Sequence, residues 1–398
     1  MNDLLIVGAG PVGAVCALAL QQQGIGAHVL EAQPADAPPD TRTLALSHGA
    51  RLILDRLGVW DRLEDVTPIT RIHISQRGAL GVARLAAQDA GVPALGYVLP
   101  YAALTALLKQ ALADAGIVVE YGVAVERIEA GTACATAHTP EGGTFGAPLV
   151  VVADGGRGTA AAAPRFERDY DQMAVVCEVE TELPHANQAY ERFTPEGPAA
   201  LLPKGERYAL VWTARREDAE RIAQLPEAEF LTALYRHFGG RQGHFLSATA
   251  RKTFPLKLAW IGSEAADRVV RIGNAAQTLH PVAGQGFNIG LRDAWELAAL
   301  CSDTLHESIQ RGDTPHGSIQ RGDGPLGEIG GAAMLAAYAR GRRVDVLGGV
   351  GFTDFLVRVF SNDIAPLRHA RGLGLLALEV LPPLKRFVAR RMIFGARG

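Results

Sequence analysis

The chain has 398 residues, enough for two or three domains at roughly 150 residues each. Hydrophobic residues make up 48% and charged residues 20%, which excludes a disordered chain. Lys and Arg number 39 and Asp and Glu 42; the formal charge of −3 argues against a dedicated nucleic-acid binder.

Residues 4–7 are an apolar run followed by Gly8-Ala9-Gly10-Pro11-Val12-Gly13. Residues 14–23 are rich in Ala and Leu, and 27–30 are apolar and end at Glu31. The order strand, tight turn, helix, strand is a βαβ unit. In that context the spacing Gly8, Gly10, Gly13 is a dinucleotide fingerprint. Gly8 permits the turn, Gly10 lets backbone approach a pyrophosphate, and Gly13 lets helix and strand pack closely. Glu31 is placed to accept both ribose hydroxyls, which suits FAD or NAD rather than NADP; this motif alone leaves the dinucleotide open.

Further along, 35–40 reads as loop and 47–57 and 99–115 as helices. Strands are expected at 117–121 and 149–153, the second meeting a turn at Asp154-Gly155-Gly156. The texture changes at 171–258, with strands at 173–179, 208–213 and 245–250 and a helical region at 216–238. Residues 269–272 form an apolar strand that ends in Gly273-Asn274; a Gly-punctuated stretch leads into a helix at 291–300. Residues 306–325 are a ten-residue tandem repeat, HESIQRGDTP then HGSIQRGDGP, expected as a surface insertion. Helices are expected at 334–350, 352–360 and 373–380.

The expected fold class is α/β: a Rossmann-like FAD-binding domain, a mixed-sheet substrate domain and a helical carboxyl-terminal region. Residues 1–170 and 259–330 would form the first, 171–258 the second and 331–398 the third.

Four scattered cysteines make neither a zinc knuckle nor a CxxC pair, and no metal-ligand cluster stands out. No secretory signal is visible, and no apolar run reaches the ~20 residues of a membrane span. A cytoplasmic protein is expected.

The segments 8–31, Thr41-Arg42-Thr43-Leu44-Ala45-Leu46-Ser47, Val152-Ala153-Asp154-Gly155 and 273–293 occur in this order. Together they resemble the flavoprotein aromatic hydroxylases of the para-hydroxybenzoate hydroxylase type. The segment RIGNAAQTLHPVAGQGFNIGLRD resembles their ubiquinone-biosynthesis branch, most of all the 2-octaprenyl-6-methoxyphenol hydroxylases. The resemblance implies bound FAD, NAD(P)H as a transient co-substrate, and O2 and a polyprenyl phenol as substrates. A reduced flavin would deliver one oxygen atom to the ring through a C4a-hydroperoxide. Hydroxylation of another ring position or lipophilic phenol, and a noncatalytic flavin-containing scaffold, are the competing readings.

The same resemblance implies residue roles. Arg42 would meet the FAD near its phosphates and ribityl chain. Asp154 and Gly155 would border the pyrophosphate region. Gly273 and Asn274 stand where relatives carry Gly-Asp beside the ribityl chain. Gly284, Gln285, Gly286, Phe287 and Asn288 would lie against the isoalloxazine, with Pro281 near the hydroxylation locus. His280 is a candidate proton carrier at neutral pH, weighed against a packed histidine.

Residues 364–398 hold seven Lys or Arg, one acidic residue (Glu379) and many Leu, Val and Phe. Two readings compete: helices packed on the protein, or peripheral contact with the inner face of the cytoplasmic membrane or with a ubiquinone-biosynthesis assembly. The contact reading predicts that charge reversal at Lys385 and Arg386 weakens association.

Overall fold

The computed structural model describes residues 4–78, 81–156, 165–261, 268–279, 284–310, 327–360 and 364–395. Three apolar stretches far apart in sequence make the centre of the first sheet. Leu4–Val7 and Val150–Val152 pair in parallel, and Val269–Arg271 adds beyond Val150–Val152. Ala27–Glu31 and then Val118–Tyr121 extend the other side, giving five parallel strands among the described residues. Apolar side chains alternate between two covered faces, as buried parallel strands require. Leu4, Ile6, Val29, Val151 and Val270 face a helical layer. Leu5, Val7, Leu30, Val150 and Val152 face the small antiparallel sheet Arg127–Glu129, Ala135–His138 and Thr144–Ala147.

The helical layer begins with Pro11–Gln22, whose first position is Pro11 and whose N-cap is Gly10. Proline suits that position because its φ is already helical and its missing N–H would be unpaired there anyway. This helix packs with Leu104, Leu108 and Leu112 of Tyr101–Asp114 and with Leu291 and Leu297 of Gln285–Gln310. Each such burial contributes about 1.5–3 kcal/mol.

A second, nine-stranded mixed sheet forms among the described residues. Its central strands are Phe166–Thr181, Arg207–Arg215, Gly197–Lys204 and Gln188–Thr194. Arg71–Gln76 and Val82–Ala86 continue it, by parallel pairing of the former to Gln188–Thr194. These two strands lie within the 1–170 stretch yet belong to this sheet. One face buries Val175, Leu201, Leu210 and Trp212 under the helices Arg216–Gln224 and Glu227–Phe238. The other face looks into a cavity.

The expected helices at 334–350 and 352–360 are one continuous helix, Ala332–Phe360. Gly351, the residue between the two expected helices, continues the helix, and Gly349 allows close approach: a Cβ there would come 2.6 Å from Ile289 Cδ1. Ala365–Val380 and Pro382–Phe394 follow, the second starting where two prolines end the first. The tandem repeat contributes residues 306–310 to the end of Gln285–Gln310, and its remainder lies outside the described residues.

Candidate functional site

Three motif segments converge at the carboxyl ends of the first sheet. Gly8 has φ +107°, and a Cβ there would come 2.6 Å from Ala153 O. A Cβ at Gly13 would come 1.9 Å from Gly8 O. Both positions are closed to any side chain. Gly10 differs: nothing lies within 4 Å of its Cβ position, so the backbone there borders open space at the start of a helix. That is the shape a pyrophosphate needs, with helix amides and the positive end of the dipole supplying the charge complement. Glu31 closes the cradle: its Oε2 accepts from Ala9 N at 2.7 Å and its Oε1 from Gln33 N at 2.8 Å. A carboxylate has about four lone-pair sites, so acceptor capacity remains for ribose hydroxyls. The residues present fit a dinucleotide.

Asp154 caps the turn that follows Val150–Val152, its Oδ1 accepting from Gly156 N at 2.8 Å. Gly155, at φ +74°, lies exposed beside it. Gly156 reaches toward Asn274, whose carbonyl oxygen would be 3.2 Å from a Cβ there. Gly273 is buried at φ +60° against Val12, while Asn274 is exposed. Arg42 is set apart: it is exposed, pairs with Asp40 at 2.6 Å and lies 5.0 Å over the Tyr101 ring. The Asp40 hydrogen bond raises its pKa.

Asp293 anchors the motif segment that begins at Gly273. Its Oδ2 accepts from Gly273 N at 3.0 Å and from Gln277 Nε2 at 2.8 Å, and its Oδ1 from Arg342 Nε at 2.7 Å. Arg342, 1% exposed, also reaches Asp345 at 2.8 Å and Glu296 at 3.0 Å. Burial opposes its charge, but Asp293, Tyr338, Glu296 and Asp345 outweigh this and raise its pKa. Nothing in the linear pattern singled out Arg342, which sits about 50 residues beyond its partner.

The first turn of Gln285–Gln310 fastens to strand Thr43–Ser47. Asn288 Oδ1 accepts from Ser47 N at 2.8 Å, and its Nδ2 donates to Ala45 O at 3.1 Å and Gly284 O at 2.7 Å. Residues 284–288 and Asn274 line a cavity of about 810 Å3. The cavity runs on between the second sheet and the last two helices, touching Ile74, Ala200, Leu375, Leu378 and Met392. Among its described lining residues only Glu191 is acidic and only Arg371 is basic. Sequence reasoning passed over Glu191, although Ala189 and Phe193 sit on the same strand face and signal an apolar setting. His280 and Pro281 lie outside the described residues. Among the described residues there is no cluster of His, Cys, Asp and Glu able to hold a metal ion.

Comparison with known proteins agrees with this geometry. The model of the FAD binding domain family matches residues 1–310. Ubiquinone hydroxylase UbiL of Rhodospirillum rubrum is 35% identical over 98% of this chain and 88% of its own. The 3-demethoxyubiquinol 3-hydroxylase of Escherichia coli is 29% identical over 97% of this chain and 96% of its own. In structure, p-nitrophenol 4-monooxygenase PnpA of Pseudomonas putida superposes with a TM-score of 0.74 at 18% identity, covering 100% of this chain and 99% of its own. Fingerprint, folded cradle and relatives agree: the chain belongs to the FAD binding domain family and is an FAD-dependent aromatic monooxygenase.

Proposed function

We propose that the chain hydroxylates the aromatic ring of a polyprenyl phenol in ubiquinone biosynthesis, with NAD(P)H as reductant and O2 as the oxygen source. The observation that carries this is the apolar cavity that runs from residues 284–288 to the carboxyl-terminal helices. A polar aromatic head and a long hydrocarbon tail need such a passage. The relatives, a ubiquinone hydroxylase and a 3-demethoxyubiquinol 3-hydroxylase, support the substrate class.

When bound, FAD supplies the redox and oxygen-transfer chemistry that side chains lack. The chain's own residues do the rest. Gly8, Gly10, Gly13 and Glu31 hold the dinucleotide, with Asp154 and Gly155 at the neighbouring turn. Asp293 and Arg342 fix the turn at Gly273 and Asn274. Asn288 fixes the approach of Gly284, Gln285, Gly286 and Phe287. The positive amino-terminal end of Gln285–Gln310 favours negative charge beside it. The apolar walls orient the ring and exclude water. Arg42, beside Asp40, is poised to exchange that partner for phosphate oxygens. Pro281 and His280 complete the reading from the sequence, at the hydroxylation locus and as a proton carrier.

The membrane side is part of the same proposal. No described helix is long and apolar enough to cross a membrane. Leu373, Val380 and Phe387 on the last two helices are more than 60% exposed, and Arg386 and Arg390 lie exposed among them. Apolar side chains flanked by arginine suit contact with an anionic bilayer.

The test is turnover of a short-prenyl phenol by FAD-loaded protein. The expected result is NAD(P)H consumption matched by a product heavier by one oxygen atom. NAD(P)H oxidation that no phenol stimulates, with no product, would overturn the reading in favour of a scaffold.

A further inference from the structure

Strand Gln188–Thr194 turns Ala189, Glu191 and Phe193 toward the cavity. In register beside Glu191 stand Ile74 and Ala200, both apolar and both on the cavity wall. A carboxyl group at such a position is unfavourable unless something pairs with it. Neighbouring polar groups are already used. Asn288 is held by Ser47, Ala45 and Gly284, Gln285 donates to Met392 O, and Arg371 donates to Val359 O at 2.6 Å. The Glu191 carboxyl has no hydrogen-bond or ion-pair partner among the described residues. Burial pushes its pKa up to about 8, so at neutral pH it is mainly the uncharged acid.

The groups that could bias its charge are few. Tyr190 on the same strand and Arg371 from Ala365–Val380 are the other titratable or charged members of the described wall. The adjoining strands place Ile74, Ala200 and Leu202 there, Gln285–Gln310 brings Gln285 and Asn288, and Pro382–Phe394 brings Val388, Ala389 and Met392. Arg192, next along the strand, is tied to His237 O and Ser75 Oγ.

We propose that Glu191 is the anchor for the hydroxyl of the phenolic head group, hydrogen-bonded to it through the carboxyl, and that it selects rings with a free hydroxyl over their methyl ethers. This rests on the functional reading above and names the residue that reads the substrate's polar end. A carboxylate accepts strongly from a phenol O–H, and such charge-assisted bonds are the stronger kind. A methyl ether has no proton to give, so only the neutral acid can bond to it. The neutral acid also bonds to a phenol, so the phenol is held in both protonation states and the ether in one, and the preference for the phenol grows as the carboxyl ionises.

The experiment measures dissociation constants of FAD-loaded protein for a monoprenyl phenol and its methyl ether between pH 6.5 and 9. It covers the wild type, Glu191→Gln and Glu191→Leu, with calorimetry as readout and FAD occupancy as control. In the wild type, phenol binding should tighten and ether binding weaken as pH rises through about 8. A one-unit pKa shift on binding corresponds to about tenfold in affinity. Glu191→Gln should flatten both profiles while keeping a neutral hydrogen bond, and Glu191→Leu should lose the preference for the phenol. Parallel profiles for phenol and ether, or an unchanged phenol profile in Glu191→Gln, would overturn the assignment while leaving the hydroxylase reading intact. Full FAD occupancy with no phenol binding at any pH would overturn both.

Discussion

Gly10 and Gly13 are three residues apart and answer opposite constraints. Gly13 faces backbone, where a Cβ would lie 1.9 Å from Gly8 O; Gly10 faces empty space. Gly13→Ala is therefore expected to disrupt the packing of the first helix on its strand and to lower melting temperature and flavin content together. Gly10→Ala should leave the melting temperature of FAD-free protein nearly unchanged and weaken FAD binding at least tenfold, because the methyl group enters the cradle. Flavin titration beside thermal melting separates the two; undiminished FAD affinity in Gly10→Ala would show that the cofactor does not approach there. Glu191 gives a second prediction. Its pKa of about 8 lies above the ordinary carboxyl value of about 4.3. Folding therefore binds a proton between these values, and the associated stability, full at low pH, is lost as pH rises toward about 8. The melting-temperature difference, Glu191→Gln minus wild type, should grow more positive from pH 5 to pH 8; a flat difference would contradict the raised pKa. The glycines were legible because their meaning lies in a spacing of five residues between a strand and a helix. Glu191 was not, because a lone glutamate in a strand looks solvated until the cavity is known.

At the level of elements, the Gly273 turn, proposed to border the flavin, is held by an ionic knot between two helices. Arg342 of Ala332–Phe360 meets Asp293 of Gln285–Gln310, and Asp293 in turn holds Gly273 N and Gln277. Removing one partner of a buried ion pair leaves an uncompensated charge and costs about 3–5 kcal/mol. Arg342→Leu should lower stability by that order and reduce FAD retention, since the Gly273 turn loses its fixed acceptor. Denaturant unfolding and released flavin measure both; unchanged flavin retention in a destabilised variant would confine the knot to stability alone. The strand-turn-helix-strand unit and the three strands that join it in the first sheet were readable from local apolar runs. The continuity of the long helix through Gly351 was not, since a glycine between two helical stretches usually marks a break, whereas here the helix runs on through it. Gly197–Lys204 was also hidden: Pro198 and Pro203 argue locally against a strand, yet it pairs on both sides.

For the whole molecule, the proposed polyprenyl substrate raises the question of where the rest of a long tail goes. A cavity of about 150 Å3 suffices for benzene, so the roughly 810 Å3 here accommodates the head and only part of a long polyprenyl chain. The remainder is unfavourable in water by about 0.8 kcal/mol per CH2. Cavity-lining Leu375 and Leu378 alternate along Ala365–Val380 with exposed Leu373, Leu376 and Val380, so inside and outside apolar surfaces share one helix. The expected charge reversal at Lys385 does not isolate this surface. Lys385 is within 3.5 Å of Glu379, which also accepts from Arg84 N at 2.7 Å and binds its guanidinium at 2.9 Å. A glutamate at 385 would disturb the tie between Ala365–Val380 and Val82–Ala86. Arg386 and Arg390 are exposed and serve better. At about 1 kcal/mol per basic residue near an anionic bilayer, losing both should weaken vesicle binding about thirtyfold, and reversal to glutamate by more. Arg386→Glu with Arg390→Glu should therefore abolish sedimentation with anionic vesicles while FAD content and turnover of a short-tailed phenol stay near wild type. Turnover of a long-prenyl phenol presented in those vesicles should fall in step with binding. Equal loss on both substrates with unchanged sedimentation would refute the delivery role, because the two helices would then act on the cavity and not on its access to lipid.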